Sequence, residues 1–545
     1  MLKTIRRLLA VIFLTGITSL FLDFTGTVQP LFGWMAKLQF LPSVLALSII
    51  PVVAVLGLTL ILGRIYCSVI CPLGVFQDLM AWIGKWKIFH KNKKAKLANN
   101  YSYSRPKTWL RYAVLAAFVV GMLIPGFNAI AVIIAPYSAY GRMASAILQP
   151  AYIAINNVLA TWAEANDSYT FYQVEPHNNP TLLIIIAATT AVVLAILAFR
   201  NGRTYCNTIC PVGTILGNVA RFSFIKMHVD EDKCIKCGLC AKNCKAACIS
   251  IEKGKPAIID YTRCVSCGDC QEACSKSALI YGPLKKSTPQ PINQSTNQPI
   301  NASTENLSRR SFLTITGTAL AATAIKAQEK TTDGGYAAII DKEIPKRHTR
   351  ITPPGSLSTR NLQQHCTSCQ LCISNCPNGV LRPSTDLDRF MQPEMQYEKG
   401  YCRPECTRCS DVCPAGAIRP IKLDAKTAEE LDVPRWSSKH HIQVGVAKWV
   451  SKNCIPVSDG INCGNCARHC PNEAIQMVPV DKTITVNPDG TYANKDGQQV
   501  HERDLILHPV VNTEKCIGCG ACENLCPVRP FSAIYVEGIE VHREL

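Results

Sequence analysis

Twenty-four of the 29 cysteines in this 545-residue chain fall into six groups of four, and nothing else restricts the fold as tightly. Cys234, Cys237, Cys240, Cys244 and Cys264, Cys267, Cys270, Cys274 each follow Cys-x2-Cys-x2-Cys-x3-Cys. Four further groups are Cys366, Cys369, Cys372, Cys376; Cys402, Cys406, Cys409, Cys413; Cys454, Cys463, Cys466, Cys470; and Cys516, Cys519, Cys522, Cys526. Disulfide frameworks lack this tight repeated spacing, and the paired knuckles of zinc sites usually stand much further apart. Three thiolates so close in sequence can wrap three irons of a cubane, while the fourth reaches a neighbouring cluster. In the first two groups this assigns Cys234, Cys237, Cys240 and Cys274 to one 4Fe-4S cluster, and Cys264, Cys267, Cys270 and Cys244 to another. Prolines 377, 414, 471 and 527 follow the last cysteine of the later groups, as in bacterial ferredoxins, but none follows Cys244 or Cys274. Cys248 reads as a buried thiol beside a cluster rather than a ligand. The wide interval from Cys454 to Cys463 makes Cys454 the least regular ligand.

The formal charge of +18 would suit a nucleic-acid binder, yet no RNA- or DNA-reading motif accompanies it. A 4Fe-4S cluster with four thiolates carries about −2 when oxidised, so six contribute about −12. Most of the basic excess therefore balances cofactors.

Hydrophobic residues make up 48% of the chain and concentrate before residue 200. Four stretches, Leu8–Phe24, Ser43–Leu62, Leu110–Ala135 and Thr181–Phe199, approach the roughly 20 residues that a membrane-spanning helix needs. The expected architecture is an α-helical membrane domain with four spans plus a candidate fifth, carrying two ferredoxin-like (α+β) 4Fe-4S modules. Nine Lys and Arg residues between Arg64 and Lys107, against Asp78 alone, place the connection after the second span in the cytoplasm. Pro136–Pro180, with Arg142 as its one basic residue, is expected as an outer connection. No histidine lies inside an apolar stretch, so a bis-histidine haem is not expected there.

A repeat crosses this half: Gly63-Arg64-Ile65-Tyr66-Cys67-Ser68-Val69-Ile70-Cys71-Pro72 matches Gly202-Arg203-Thr204-Tyr205-Cys206-Asn207-Thr208-Ile209-Cys210-Pro211. On a helix, cysteines four apart share a face. Cys67, Cys71, Cys206 and Cys210 could form a thiol redox pair, a metal site, or a shaped surface near a quinone pocket. They could equally be a structural cap of small residues before a proline turn. Four soft ligands at equivalent places favour metal or redox chemistry.

The expected domains are 1–224, the membrane part; 225–284, a cytoplasmic two-cluster module; 285–307, a Ser-, Asn-, Gln- and Pro-rich flexible linker; 308–328; and 329–545, a four-cluster module. Within 308–328, Ser308-Arg309-Arg310-Ser311-Phe312-Leu313 precedes an apolar run and resembles a twin-arginine export signal. A fifth span is the alternative, and either places the last module outside the cytoplasm. Cleavage near Ala327 is left open.

On these motifs, residues 1–283 resemble the NapH type of membrane iron–sulfur protein, and residues 308–545 resemble the NapG type of exported four-cluster ferredoxin. Four-cluster ferredoxin subunits of oxidoreductases nest their outer and inner groups. That resemblance implies Cys366, Cys369 and Cys372 with Cys526, and Cys516, Cys519 and Cys522 with Cys376. It likewise implies Cys402, Cys406 and Cys409 with Cys470, and Cys454, Cys463 and Cys466 with Cys413, while segments such as 422–450 cover the clusters and dock a partner. The NapH and NapG resemblance implies a quinol dehydrogenase component of a bacterial inner membrane, taking electrons from membrane quinol to a periplasmic redox partner protein. The alternative is a maturation factor that reduces or delivers metal, such as copper, to a periplasmic enzyme. About six clusters, a quinone and the lipid bilayer are the expected cofactors and surroundings. A hydrocarbon layer of about 30 Å would separate the two modules; either quinone or a centre at the Cys-x3-Cys-Pro motifs bridges it, or the two modules handle separate electron flows.

Overall fold

The apolar first part of the chain becomes helix. The computed structural model describes residues 2–84, 101, 103–123, 128–168, 170–175, 179–252, 255–283, 332–333, 337–338, 340–421, 442–481, 483–487, 491–496, 498–501 and 505–544. The helices are α1 (Leu2–Leu22), α2 (Gln29–Lys37), α3 (Phe40–Leu45), α4 (Ile49–Leu62), α5 (Pro72–Ile83), α6 (Thr108–Leu123), α7 (Asn128–Ile134), α8 (Pro136–Met143), α9 (Gln149–Glu164), α10 (Thr181–Asn201), α11 (Thr204–Thr208) and α12 (Pro211–Ala220). Prolines open α5, α8 and α12, where the missing N–H costs no helical hydrogen bond. The linker and the twin-arginine segment lie outside the described residues.

Among the described residues three helices are long and apolar enough to cross a membrane: Lys3–Leu22, Pro136–Glu164 and Thr181–Asn201. The expected Leu8–Phe24 and Thr181–Phe199 are among them, while the other two expected spans hold shorter apolar helices, Ile49–Leu62 and Thr108–Met122. The second expected span breaks before α4, with Leu47 at φ +52°, and leaves Ile49–Leu62, which is apolar but shorter. In the third, α6 runs to Leu123 and α7 starts at Asn128, with residues 124–127 outside the described residues. The expected outer connection instead contains α8, a π-helical turn (Ala144–Leu148) and α9, continuous over Pro136–Glu164. Its polar side chains Ser138, Arg142, Ser145, Gln149 and Asn156 are buried against protein, which lowered the apolar density of the run without preventing a helix. Ile155, Val158 and Trp162 on α9, and Ile185, Val192 and Ile196 on α10, are more than half exposed, an apolar covering suited to a membrane.

The first ferredoxin module is closed by Ile225–Val229 pairing antiparallel with Leu279–Pro283. In the second, Leu381–Pro383 pairs with Pro393–Met395, Ile475–Pro479 with Leu507–Val511, and Ile442–Trp449 with the C-terminal strand Ile534–Glu544, all antiparallel. Residues 1–284 and 344–545, apart from 529–531, form one compact unit. A second unit comprises Lys285–Glu343 with Arg529–Phe531. Within it Thr332–Asp333 pairs with Ala337–Ala338, and Glu343 N–H donates to the Pro530 carbonyl at 2.8 Å.

The two modules contact opposite ends of α1, a helix of 21 residues and so about 30 Å long. At its start Lys3 pairs with Asp269, at 3.2 Å, and with Glu272 of the first module. At its far end Asn375 Nδ2 donates to the Leu20 carbonyl at 2.9 Å, and Arg408 Nη1 donates to the Phe24 carbonyl at 2.8 Å. The helical part thus separates the modules while touching both.

Candidate iron–sulfur and thiol sites

Each ferredoxin group begins as a loop that must reverse to bring two cysteines onto one face. The residue after the second cysteine does this by entering the left-handed region: Gly238, Gly268, Gln370, Gly464 and Gly520, with φ between +63° and +80°. Glycine adopts that conformation without penalty. The exception is the Cys402 group, where Thr407 follows Cys406 at φ −113°.

The loops gather cysteines around four hollows. Cys234, Cys237, Cys240 and Cys274 line one, and Cys244, Cys264, Cys267 and Cys270 another, as the spacing predicts. Cys248 is buried and also lines the second hollow, its Sγ 3.4 Å from Cys244 Sγ. In the later module the structure corrects the nested pairing. Cys454, Cys463 and Cys466 meet Cys526, and Cys516, Cys519 and Cys522 meet Cys470. Cys366, Cys369 and Cys372 instead lie within electrostatic reach of Cys413, and Cys376 within reach of Cys402. Consecutive groups therefore exchange their fourth cysteines, each pair of groups around its own antiparallel strands. Cys454, the irregular ligand by spacing, takes its place in a hollow with three others.

The donor sets fit iron–sulfur clusters. Backbone N–H groups of Ala278, Ala474, Ala533 and Ala447 point at the sulfurs of Cys274, Cys470, Cys526 and Cys516 at 3.2 to 3.4 Å, and such bonds raise a cluster's potential. Burial pushes the Cys267, Cys466 and Cys519 thiols up to about 12. Without iron they hold their protons at neutral pH, so cluster binding must displace them.

The four cysteines of the membrane repeat also converge. All are buried, and each lies within electrostatic reach of others in the set. Cys67 sits in a π-helical turn (Tyr66–Ile70) and Cys206 in α11, whereas Cys71 and Cys210 cap the N-termini of α5 and α12. The two copies cross reciprocally. Arg64 Nη2 approaches the Cys206 carbonyl at 3.4 Å, and Arg203 Nη1 donates to the Cys67 carbonyl. A Cβ on Gly74 would stand 2.2 Å from the Cys67 carbonyl, and one on Gly213 equally close to that of Cys206. The repeat thus runs two residues past each proline, to a glycine that sequence reading had not included. Gln77 Nε2 donates to Cys206 Sγ at 3.3 Å, and Arg64 Nη2 lies 3.8 Å from Cys67 Sγ.

Asp78 anchors this region to the first module. Its carboxylate meets Arg203 Nε at 2.7 Å, Lys245 Nζ at 2.8 Å and Arg6 Nη1 at 3.3 Å. Burial alone would raise its pKa, but the charges of Arg203 and Lys245 hold it well below the usual carboxylate range.

Comparison with known proteins agrees with these sites. A 4Fe-4S binding domain matches residues 44–91 and 181–229, and another matches 227–250. Two 4Fe-4S dicluster domains match, one over 365–417 and 461–529 and the other over 260–380. The former falls on two separate stretches, the first holding one pair of exchanging groups and the second holding the other pair apart from Cys454. The methylamine utilization ferredoxin-type protein MauM of Methylobacillus flagellatus is 30% identical over 200 residues, covering 35% of this chain and 70% of MauM. The ferredoxin-type protein NapG of Escherichia coli is 28% identical over 207 residues, covering 36% of this chain and 76% of NapG. The ferredoxin-type protein NapF of the same organism is 24% identical over 204 residues, 37% of this chain and 96% of NapF. These matches do not themselves show a NapH-type part. The chain carries several 4Fe-4S sites, and over the matched residues it belongs to the ferredoxin-type family of iron–sulfur electron-transfer proteins that includes MauM and NapG.

Proposed function

We propose that the chain is a quinol dehydrogenase component that carries electrons from membrane quinol through its clusters to a redox partner protein on the outer side of a bacterial inner membrane. The observation that carries this reading is the contact of both ferredoxin modules with opposite ends of one apolar helix. The Lys and Arg bias puts the first module in the cytoplasm, so contact at the other end of α1 favours an outer position for the second. Six clusters hold the chemistry of one-electron transfer, and the protein sets spacing and potential through burial and N–H bonds to sulfur. Quinol gives up two electrons and two protons; the electrons enter two clusters and the protons go to solvent.

The test is reduction of the purified, detergent-extracted chain by a menaquinol analogue, followed by EPR and compared with dithionite. The reading expects a subset of the dithionite signals to develop with quinol alone. Signals that only dithionite elicits would refute quinol as donor and leave a soluble cytoplasmic reductant as the source.

A further inference from the structure

We propose that Cys67, Cys71, Cys206 and Cys210 together ligate one additional iron–sulfur cluster, which relays electrons between the two ferredoxin modules. The assignment is independent of what reduces the chain.

The first argument is the donor set. Two copies of one motif contribute two thiols each, and the reciprocal arginine contacts relate the copies by an approximate two-fold. All four cysteines are at most 6% exposed, which suits a resident centre better than a metal handed on to another protein. Both copies lie within stretches that match a 4Fe-4S binding domain. No three His, Cys, Asp or Glu among the described residues close to single-ion spacing. That holds for the ferredoxin groups too, whose thiolates must stand apart by the width of an iron–sulfide core.

Charge is the second argument. Arg64 and Arg203 are fully buried. Arg203 is answered by Asp78, but the contacts of Arg64 are Asn207 Oδ1 at 3.0 Å, the Thr262 carbonyl at 2.9 Å, the Cys206 carbonyl and Cys67 Sγ. Arg64 Nε and Arg203 Nη2 are buried without a hydrogen-bond partner. A buried guanidinium among neutral groups is costly, and a cluster with four thiolates supplies about −2 beside it. Cys71 and Cys210 stand at the N-termini of α5 and α12, and Gly213 N–H donates to Cys210 Sγ at 3.3 Å.

Position is the third. The Arg64 guanidinium touches both Cys67 and the Thr262 carbonyl, two residues before the ligand Cys264. Asn207 Nδ2 donates to the Ala246 carbonyl at 2.9 Å, close in sequence to Cys244. In the other direction, the Tyr205 hydroxyl donates to the Ile134 carbonyl. Ile134 ends α7, and α8 follows directly after Ala135. There Ser138 Oγ donates to the Thr367 carbonyl, and a Cβ on Gly141 would stand 2.1 Å from the Cys369 carbonyl. Contacts therefore lead from the Cys264 loop through the segments that hold the four thiols to the Cys369 loop. In the relay step one electron leaves a reduced cluster of one module, reduces the intermediate cluster, and passes to an oxidised cluster of the other; no proton or bond is exchanged.

The experiment uses the full chain purified without oxygen. Six cubanes account for about 24 irons; the proposal expects iron and labile sulfide above that, and a Mössbauer and EPR component missing from Cys67→Ser/Cys206→Ser while the ferredoxin signals persist. Arg64→Gln should shift the midpoint potential of that component to lower values, because a neighbouring cation is lost. Should the double variant fail to fold, the wild-type chain still decides. After anaerobic denaturation with chelator and no reductant, the proposal expects 29 free thiols and no stoichiometric copper or zinc. Two or four missing thiols would show a disulfide, and one copper or zinc per chain a different metal. Iron that never exceeds six cubanes would show an empty thiol set. Any of the three overturns the proposal.

Discussion

Replacing Asp78 with asparagine should loosen the seam between the first ferredoxin module and the thiol repeat. Its carboxylate is the shared counter-charge of Arg203, Lys245 and Arg6, which come from three separate parts of the chain. Asparagine keeps the shape and leaves three cations nearly buried. Removing one partner of a buried pair costs about 3–5 kcal/mol. Asp269 also contacts Lys245, at 3.2 Å, so the lower end, about 3 kcal/mol, applies. At 1.36 kcal/mol per decade this is about two decades in local opening. Hydrogen exchange reads it directly, because the Arg203 amide donates to the Lys245 carbonyl at 2.8 Å across the seam. In Asp78→Asn that amide should exchange roughly 100-fold faster. The depressed carboxyl contributes stability that is complete above its ordinary pKa of about 4 and is lost as pH falls through the lower folded value. Acid should therefore reduce protection in the wild type toward that of the variant, whose residue 78 does not titrate. Equal exchange in the two chains at pH 7 would refute the reasoning.

Four further outcomes follow from the geometry and from the burial of the thiols. Cys526→Ser should abolish the same EPR signal as Cys463→Ser and spare the one lost in Cys366→Ser; nested pairing predicts the reverse grouping. Gly213→Ala forces a Cβ to 2.2 Å from the Cys206 carbonyl and should cost about 1–3 kcal/mol, seen as a lower thermal midpoint. Gly57→Ala, with nothing within 4 Å of the new Cβ, should be neutral or mildly stabilising. Because burial raises the Cys267, Cys466 and Cys519 thiols to about 12, protons compete with iron more strongly as pH falls. Chelator should strip iron faster at pH 6 than at pH 8, and a rate that rises with pH would contradict this.

Local chemistry was legible in the sequence and long-range arrangement less so. The pairing of Cys274 with Cys234, Cys237 and Cys240 follows from spacing because the whole module is short. In 344–545 spacing names the ligands but does not say which groups neighbour each other, since strand pairing over longer separations decides that. The repeat around Cys67 and Cys206 was visible, and so was Asp78 as the solitary acid of a basic connection. That the three cations on Asp78 come from distant segments needed the fold. Pro136–Glu164 escaped because Ser138, Arg142, Ser145 and Gln149 lower its hydropathy. Their intervals of four, three and four put them on one helical face, the signal that a helix there buries a polar stripe against protein.

The most direct test of a single electron route through this chain uses quinone-free vesicles containing only this protein. An impermeant reductant is added outside and an impermeant redox dye is sealed inside. The account predicts that the internal dye is reduced at a rate that scales with protein and is lost when Cys67 and Cys206 are both replaced by serine. Reduction of the outward-facing clusters with no reduction of the internal dye would contradict it, and would leave the two modules serving separate electron flows.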